Sequence, residues 1–344
     1  MKVYVGMSGG VDSSLSAALL KEQGYDVTGV YMKNWTQDLP GMICPWADDL
    51  ADAKRVAVQL GIDFKVFDFE NEYKHKVVDY MIEEYKLGRT PNPDIMCNQE
   101  VKFKLFLETA LEDGADKIAT GHYARVENGV LKQAIDTNKD QTYFLYRVTG
   151  EALSKTLFPL GEFTKPTVRD MAKERGLFTA GKKDSQGICF VGKVGIRDFL
   201  SQYVKQTPGE IIDKKTNKVL GHHDGAIFYT LGQRHGLEVG GGLPYYVVGK
   251  DMAKNEVYVT TDLNDQTLWK EKITLSAVHW INDAPNDGSY TIRVRHRAKL
   301  ISANLTINSD EVELLLADAE RAVTGGQSVV VYDGDTCLGG GVVV

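Results

Sequence analysis

Ser8 to Ser13 reads SGGVDS: two glycines, two hydroxyls flanking them and a carboxylate, directly after the apolar run KVYVGM and ahead of an apolar helical pattern. A helix start exposes unpaired N–H groups and the positive end of the helix dipole, so anions are favoured there. Gly9 and Gly10 let the backbone approach a ligand closely and adopt positive φ. Ser8 and Ser13 add hydroxyl donors, and Asp12 can meet a magnesium ion carried on a nucleotide. No lysine follows the glycines, which separates this string from the Walker loop that grips a terminal phosphate. The chemistry such a turn serves is holding the phosphates of ATP. A plain strand-to-helix turn, capped by Ser8 or Asp12, is the structural alternative.

Two of the four cysteines lie in stretches suited to thiol chemistry. In RTPNPDIMCNQE, Pro91 and Pro93 force an extended approach and predict a helix beginning near Asn98. Cys97 then sits in a polar loop beside a helix N-terminus, a setting that favours thiolate; a small buried hydrophobe is the other reading of such a residue. Asp94 reads either as the cap of that helix or as a general acid or base. In GKKDSQGICFVGK, Cys189 lies between Gly187 and Gly192, downstream of Lys182 and Lys183, whose charge would stabilise a thiolate; an ordinary polar connector is the alternative. Cys44 and Cys337 lack such surroundings and read as structural. The string TIRVRHRAK, placed on a strand, lines Arg293, Arg295, Arg297 and Lys299 along one side. That is a local phosphate-binding stripe, or else a solvated face or a set of internal ion pairs.

These residues need elements to position them. From residue 1 to 205, strand-like and helix-like patterns alternate: KVYVGM, a helix over Asp12–Gln23 ending at Gly24, DVTGVYM, a helical ADDLADAKRVAVQLG, then FKVFDF, two more helical runs and DKIATGHYA. This alternation predicts an α/β fold with a doubly wound parallel sheet, whose ligands sit beyond the carboxyl ends of the strands. SGGVDS, YMKNW and TGHYA all fall at that edge. Residues 206–271 change to short strands broken by Gly and Pro, a small β-rich domain, and 272–344 read as a compact β-barrel. With 344 residues, the chain has room for three such cores. Its net charge of −7 decides nothing about nucleic acid, because salt screens charge beyond about 8–10 Å and a local basic face can dominate. The absence of CxxC spacing argues against a metal cluster or disulfide framework. No apolar signal region precedes KVYVGM and no run approaches the ~18 apolar residues of a membrane span. A cytoplasmic protein without membrane association is the expectation.

The blocks GMSGGVDSS, YMKNW, GRTPNPDIMCNQEVKF, ATGHYAR, KDQTYFLY, KKDSQGICFVG, LGQRHGL and YDGDTCLGGG, spread over almost the whole chain, resemble those of the tRNA-specific 2-thiouridylases, a branch of the PP-loop ATP pyrophosphatases. The resemblance implies that ATP, with Mg, is held by Gly6, Met7, Ser8, Gly9, Gly10, Val11, Asp12 and Ser13, together with Met32 and Gly121. It implies that Asn92, Pro93 and Asp94 meet a flipped wobble uridine in tRNA, in the Lys, Glu and Gln acceptors. His122, Lys139, Asp140, Gln141, Arg295, His296 and Gln327 would be further tRNA contacts. It also implies a relay in which Cys189 carries a persulfide and Cys97 releases its sulfur, fed by a sulfur-donor protein and reset by a reductant. Two alternatives remain at this level. One is another PP-loop ligase or thiolase that adenylates a different carbonyl; the other is a tRNA-binding module without catalysis.

Overall fold

The computed structural model describes residues 1–38, 44–183, 195–240, 242–309 and 311–344. The first body is a five-stranded, wholly parallel sheet of β1 (Lys2–Gly6), β2 (Asp26–Lys33), β3 (Asp63–Asp68), β4 (Lys117–Ala119) and, after a hairpin β5 (Ala124–Glu127)–β6 (Val130–Gln133), β7 (Thr156–Leu157). Its order is β3-β2-β1-β4-β7. Strand β1 is buried on both faces because alternate side chains serve different helix layers. Val3 and Val5 pack with Ala17 and Leu20 of α1 (Val11–Glu22) and with Ala53 and Val56 of α2 (Trp46–Leu60). Tyr4 faces the other way, into a core with Met81 and Phe106 from the helical runs 70–86 and 93–112. Helix α1 gives way at Gly24, left-handed as predicted, and α2 at Gly61, which is left-handed too.

The order reverses between β1 and β4: the chain leaves β1 toward β2 and returns on the opposite side at β4. Such a switch point opens a crevice at the carboxyl edge, and here it lies between the residues following β1 and those following β4.

The second body is a small sheet of β8 (Gly209–Asp213), β9 (Val219–His223), β10 (Tyr246–Asp251) and β11 (Glu256–Thr260), in the order β10-β11-β8-β9. The third is a closed six-stranded barrel of β12 (Trp269–Trp280), β13 (Gly288–Arg293), β14 (Ile301–Asn308), β15 (Glu311–Arg321), β16 (Ser328–Asp333) and β17 (Thr336–Val343), sealed by β12 against β17. Leu275, Ile292, Leu305, Leu314 and Val331 are among the residues filling its core. The α/β sheet, the small central domain and the barrel thus appear in the predicted order.

One feature was not predicted. The β5–β6 hairpin leaves the first body and extends the barrel's sheet, pairing Leu131 and Lys132 with Cys337 and Thr336 of β17. Among the described residues, no helix is long and apolar enough to cross a membrane.

Candidate nucleotide and sulfur-transfer site

The SGGVDS turn sits at the crevice. Gly9 has φ +72, and a Cβ there would lie 2.4 Å from the Asp49 carbonyl at the start of α2; only glycine fits. Across the switch point, a Cβ on Gly121 would lie 2.8 Å from the Ser13 amide nitrogen, so this residue too must be bare. Met32, near the end of β2, packs against the end of β1, its Cε 2.9 Å from where a Gly6 Cβ would stand. The residues from Gly6 to Ser13 and Gly121 therefore meet at one helix start, with Met32 beside Gly6 at the neighbouring strand end. No side chain caps α1, so its first-turn N–H groups remain available to an anion. The turn fits a polyphosphate. Ser8 is exposed, but the Ser13 hydroxyl is used internally, accepting from the Ser8 amide (3.2 Å) and donating to the Gly10 carbonyl (3.2 Å).

Asp12 differs from expectation. Lys165 Nζ lies 2.7 and 2.8 Å from its two carboxylate oxygens, and Tyr123 donates its hydroxyl to Oδ1 at 2.9 Å. A carboxylate so engaged does not fit a magnesium ligand in this arrangement. Among the described residues, no three His, Cys, Asp or Glu side chains converge as a metal cage. Lys165, 7% exposed, is the cation that the loop itself lacks. It opens the helix Lys165–Glu174, behind the Thr164 cap. A lysine in a first turn opposes the helix dipole, and that mismatch is the sequence signal that would have singled it out.

The Cys97 segment is also placed differently. The helical run begins at Pro93, five residues before the predicted start, and it is Asn92 rather than Asp94 that caps it, accepting from the amides of Asp94 (3.1 Å) and Ile95 (3.4 Å). Pro93 takes the first helical position, where its missing N–H costs nothing. Asp94 is half-buried in the first turn. Cys97 lies one turn further in, 0% exposed within the apolar core, where the run widens to π-helical geometry over Cys97–Leu105. It is not in an exposed loop. Cys189 and its flanking glycines lie outside the described residues. Of the two lysines upstream, Lys182 is already paired, at 2.8 Å from Asp49 and 2.7 Å from Asp52. These hydrogen bonds outweigh its burial and raise its pKa. Because the Asp49 carbonyl abuts Gly9, the pairing holds Lys182 beside the SGGVDS turn. Cys44 is half-buried, and burial raises its pKa; Cys337 is buried in β17, where desolvation pushes its thiol up strongly.

The expected tRNA contacts divide into an outer and an inner set. Asp140 is 1% exposed and forms a buried pair with Arg293 Nη1 (2.8 Å), while also accepting from the Ala134 amide (3.1 Å) and the Thr142 hydroxyl (2.8 Å). Asp140 and Arg293 are turned inward against each other, away from the solvent face expected of them. The four-cation stripe does not form either, because β13 ends at Arg293 and Arg297 adopts φ +63 in a turn. Arg295, Arg297 and Lys299 are exposed there, and Arg295 pairs with Glu320. His122 is buried between Phe103 and Phe158, bonded through Nδ1 to Thr120 (2.8 Å), and burial lowers its pKa far enough to keep it neutral. It is an internal ring, not a surface cation. His296 packs at 4.5 Å on Phe144, with its pKa lowered to about 4 chiefly by burial. Gln141 accepts from the Tyr123 amide (2.9 Å), and Gln327 accepts from the Thr324 amide (3.1 Å), bracing the barrel turn 324–327. Lys139 lines a cleft with Lys165, Arg169 and Lys173 on the rim of the crevice.

Family models match the chain in three consecutive blocks: a tRNA methyl transferase HUP domain over residues 1–193, a tRNA methyl transferase PRC-barrel domain over 197–261, and an aminomethyltransferase beta-barrel domain over 270–343. The tRNA-specific 2-thiouridylase MnmA of Bacillus cytotoxicus is 47% identical over 347 residues, covering 98% of this chain and 93% of that protein. MnmA of Bacillus subtilis strain 168 is 48% identical over 351 residues, covering 99% and 94%. A solved 4-thiouridine synthetase–RNA complex with bound ATP is 19% identical, covers 59% of this chain and 50% of that one, and has a TM-score of 0.40; a likeness at that level carries no weight here. Identity close to one half over almost the full length of both chains, spanning all three blocks, places this chain in the tRNA-specific 2-thiouridylase family.

Proposed function

We propose that this protein is the ATP-dependent 2-sulfurtransferase of the tRNA wobble uridine, working in the cytoplasm. The observation that carries the reading is a continuous contact across the crevice. Gly121 packs on the start of α1, and the next residue, His122, packs on Phe103 of the helical run that bears Cys97. The proposed nucleotide turn is thereby linked, through Gly121 and His122, to the helical run that bears the proposed sulfur-handling thiol.

On this reading, the first-turn N–H groups of α1 and the exposed Ser8 hydroxyl hold the phosphates of ATP, and Met32 and Gly6 bound the nucleotide at the strand ends. Lys165, held on Asp12 beside the turn, supplies the positive charge that faces the departing pyrophosphate. Asn92, Pro93 and Asp94 receive the uridine after it leaves its stack. The C2 oxygen attacks the α-phosphate and pyrophosphate departs. That step turns a poor leaving group into a good one, AMP. The terminal sulfur of a Cys189 persulfide attacks C2, and AMP leaves with the former C2 oxygen. Cys97 thiolate then attacks Cys189 Sγ and expels the sulfur on C2 as thiouridine. The resulting Cys97–Cys189 disulfide is returned to two thiols by a reductant, and a donor protein reloads the persulfide. Gln141, His296 and Gln327, with Lys139 in its cleft and the exposed Arg295, make the remaining RNA contacts.

The test is mass spectrometry of the protein after sulfur loading, paired with nucleoside analysis of the tRNA. Cys189→Ser should take up no persulfide and accumulate adenylated tRNA; Cys97→Ser should take up the persulfide and fail to release it. Cys337→Ser, with its thiol buried in the barrel, should thiolate normally. Full thiolation by either of the first two variants would sink the relay.

A further inference from the structure

The segment 90–99, which carries Asp94 and Cys97, is fastened to the barrel at both ends. At its start, the Thr90 amide donates to the Gly325 carbonyl at 2.9 Å. Gly326, with φ +87, lies so close that a Cβ there would stand 2.7 Å from Arg89 Cβ and 2.7 Å from the Thr90 amide nitrogen. At the far end, Arg147 bridges: Nε donates to Gln99 Oε1 (2.5 Å) and Nη1 to the Ala277 carbonyl (3.1 Å). Ala277 lies within β12 at φ +46, where the β12–β17 register shifts between Ser276 and His279. An irregularity of this kind takes a carbonyl out of the ladder, and Arg147 uses it. Between the two anchors, Asn98 Nδ2 donates to the Phe144 carbonyl (3.0 Å), and the Phe144 ring packs on His296 of the barrel.

The segment needs outside support. Its only side-chain cap is Asn92, and from Cys97 the helix adopts π geometry, which is rare and less favourable than the α form. We infer that the barrel is a positioning element for the sulfur-releasing segment, with Gly326 and Arg147 as positioning residues that set where Asp94 and Cys97 stand relative to the nucleotide turn. Turn 324–327 also carries Gln327, so load placed on that turn passes to Thr90 through one hydrogen bond and one close backbone contact. The inference rests on reading Cys97 as the sulfur-releasing thiol, but its structural core does not.

The experiment uses the full chain and two variants, Gly326→Ala and Arg147→Met, with two measurements on each. The first is the labelling rate of Cys97 by a small maleimide, read by peptide mass spectrometry. The second is steady-state thiolation with tRNA. Both variants should expose the buried thiol, raising Cys97 labelling by about tenfold or more, and should lower kcat by a similar factor, as expected for misplacement by a fraction of an ångström. KM for ATP should stay within about twofold, because the nucleotide turn is not touched. A merely structural loss would lower all parameters together with the Tm and would not single out Cys97. Unchanged labelling and kcat in both variants would overturn the inference. If the wild type made no thiouridine, the functional reading would fail, while the labelling rates would still decide whether the barrel holds the segment.

Discussion

At the scale of single residues, the decisive contact is Lys165 with Asp12. The two lie far apart in sequence, yet the ammonium reaches both carboxylate oxygens in a site shared with the Tyr123 hydroxyl. A charged donor preset at the place where phosphate charge develops contributes more than the same charge in water, because no reorganisation is needed when the reaction occurs. Lys165→Met should therefore lower AMP release by roughly a hundredfold in kcat, the scale of losing one preorganised donor. Binding of tRNA should stay within about threefold, since one lost phosphate contact has a small effect at moderate salt. Quench-flow measurement of AMP alongside filter binding separates the two. AMP release close to the wild-type rate would reduce the pair to a structural tether.

At the scale of elements, the buried pair Asp140–Arg293 joins the connection after β6 to the end of β13. Arg293→Met leaves the Asp140 carboxylate 1% exposed with only neutral donors, and breaking a buried pair in this way costs about 3–5 kcal/mol. Replacing both, Asp140→Leu with Arg293→Met, should recover part of that loss, since the second change removes the uncompensated charge; the amide of Ala134 and the Thr142 hydroxyl then lose their acceptor and limit the recovery. Urea denaturation of the two single variants and the double variant measures the cycle. A cost below about 1 kcal/mol for Arg293→Met would return Arg293 to the solvent-facing role its place in TIRVRHRAK suggested.

At the scale of the whole molecule, the barrel is built into the first body rather than tethered to it. Hairpin β5–β6 extends the barrel's sheet along β17, Tyr143 donates to the Ser328 carbonyl (2.9 Å), the Gly150 amide donates to the Ile281 carbonyl (2.8 Å), and the Asp140–Arg293 pair crosses the same seam. Removing residues 272–344 would expose the β6 edge and strand Asp140. The shortened chain should melt at least about 4–7 °C below the full-length protein, taking the loss of the buried pair alone as a lower bound. Differential scanning calorimetry checks this, and a shortened chain melting at the full-length Tm would make the seam energetically idle.

What the sequence determined by itself is local. Strand-to-helix turns, the left-handed glycine at 24 and the parallel α/β pattern follow from φ restrictions and hydrophobic period within a few residues, and the structure holds them where the pattern places them. The gathering of Gly6–Ser13 and Gly121 was legible too, because a parallel sheet must bring its strand ends to one edge. Burial and partner choice were not legible. TIRVRHRAK alternates like a strand to its end, but the backbone turns after Arg293, and the first arginine faces a carboxylate 153 residues away. PNPDIMC reads as a polar loop, yet Pro93 at a first helical position and Asn92 as its cap pull the helix forward and carry Cys97 into the core. Lys165 finds Asp12, and Arg147 finds Ala277, only once separate elements have packed. Charge pairing across elements depends on distances of about 3 Å that no spacing along the chain encodes, and for that reason the tertiary structure alone decided them.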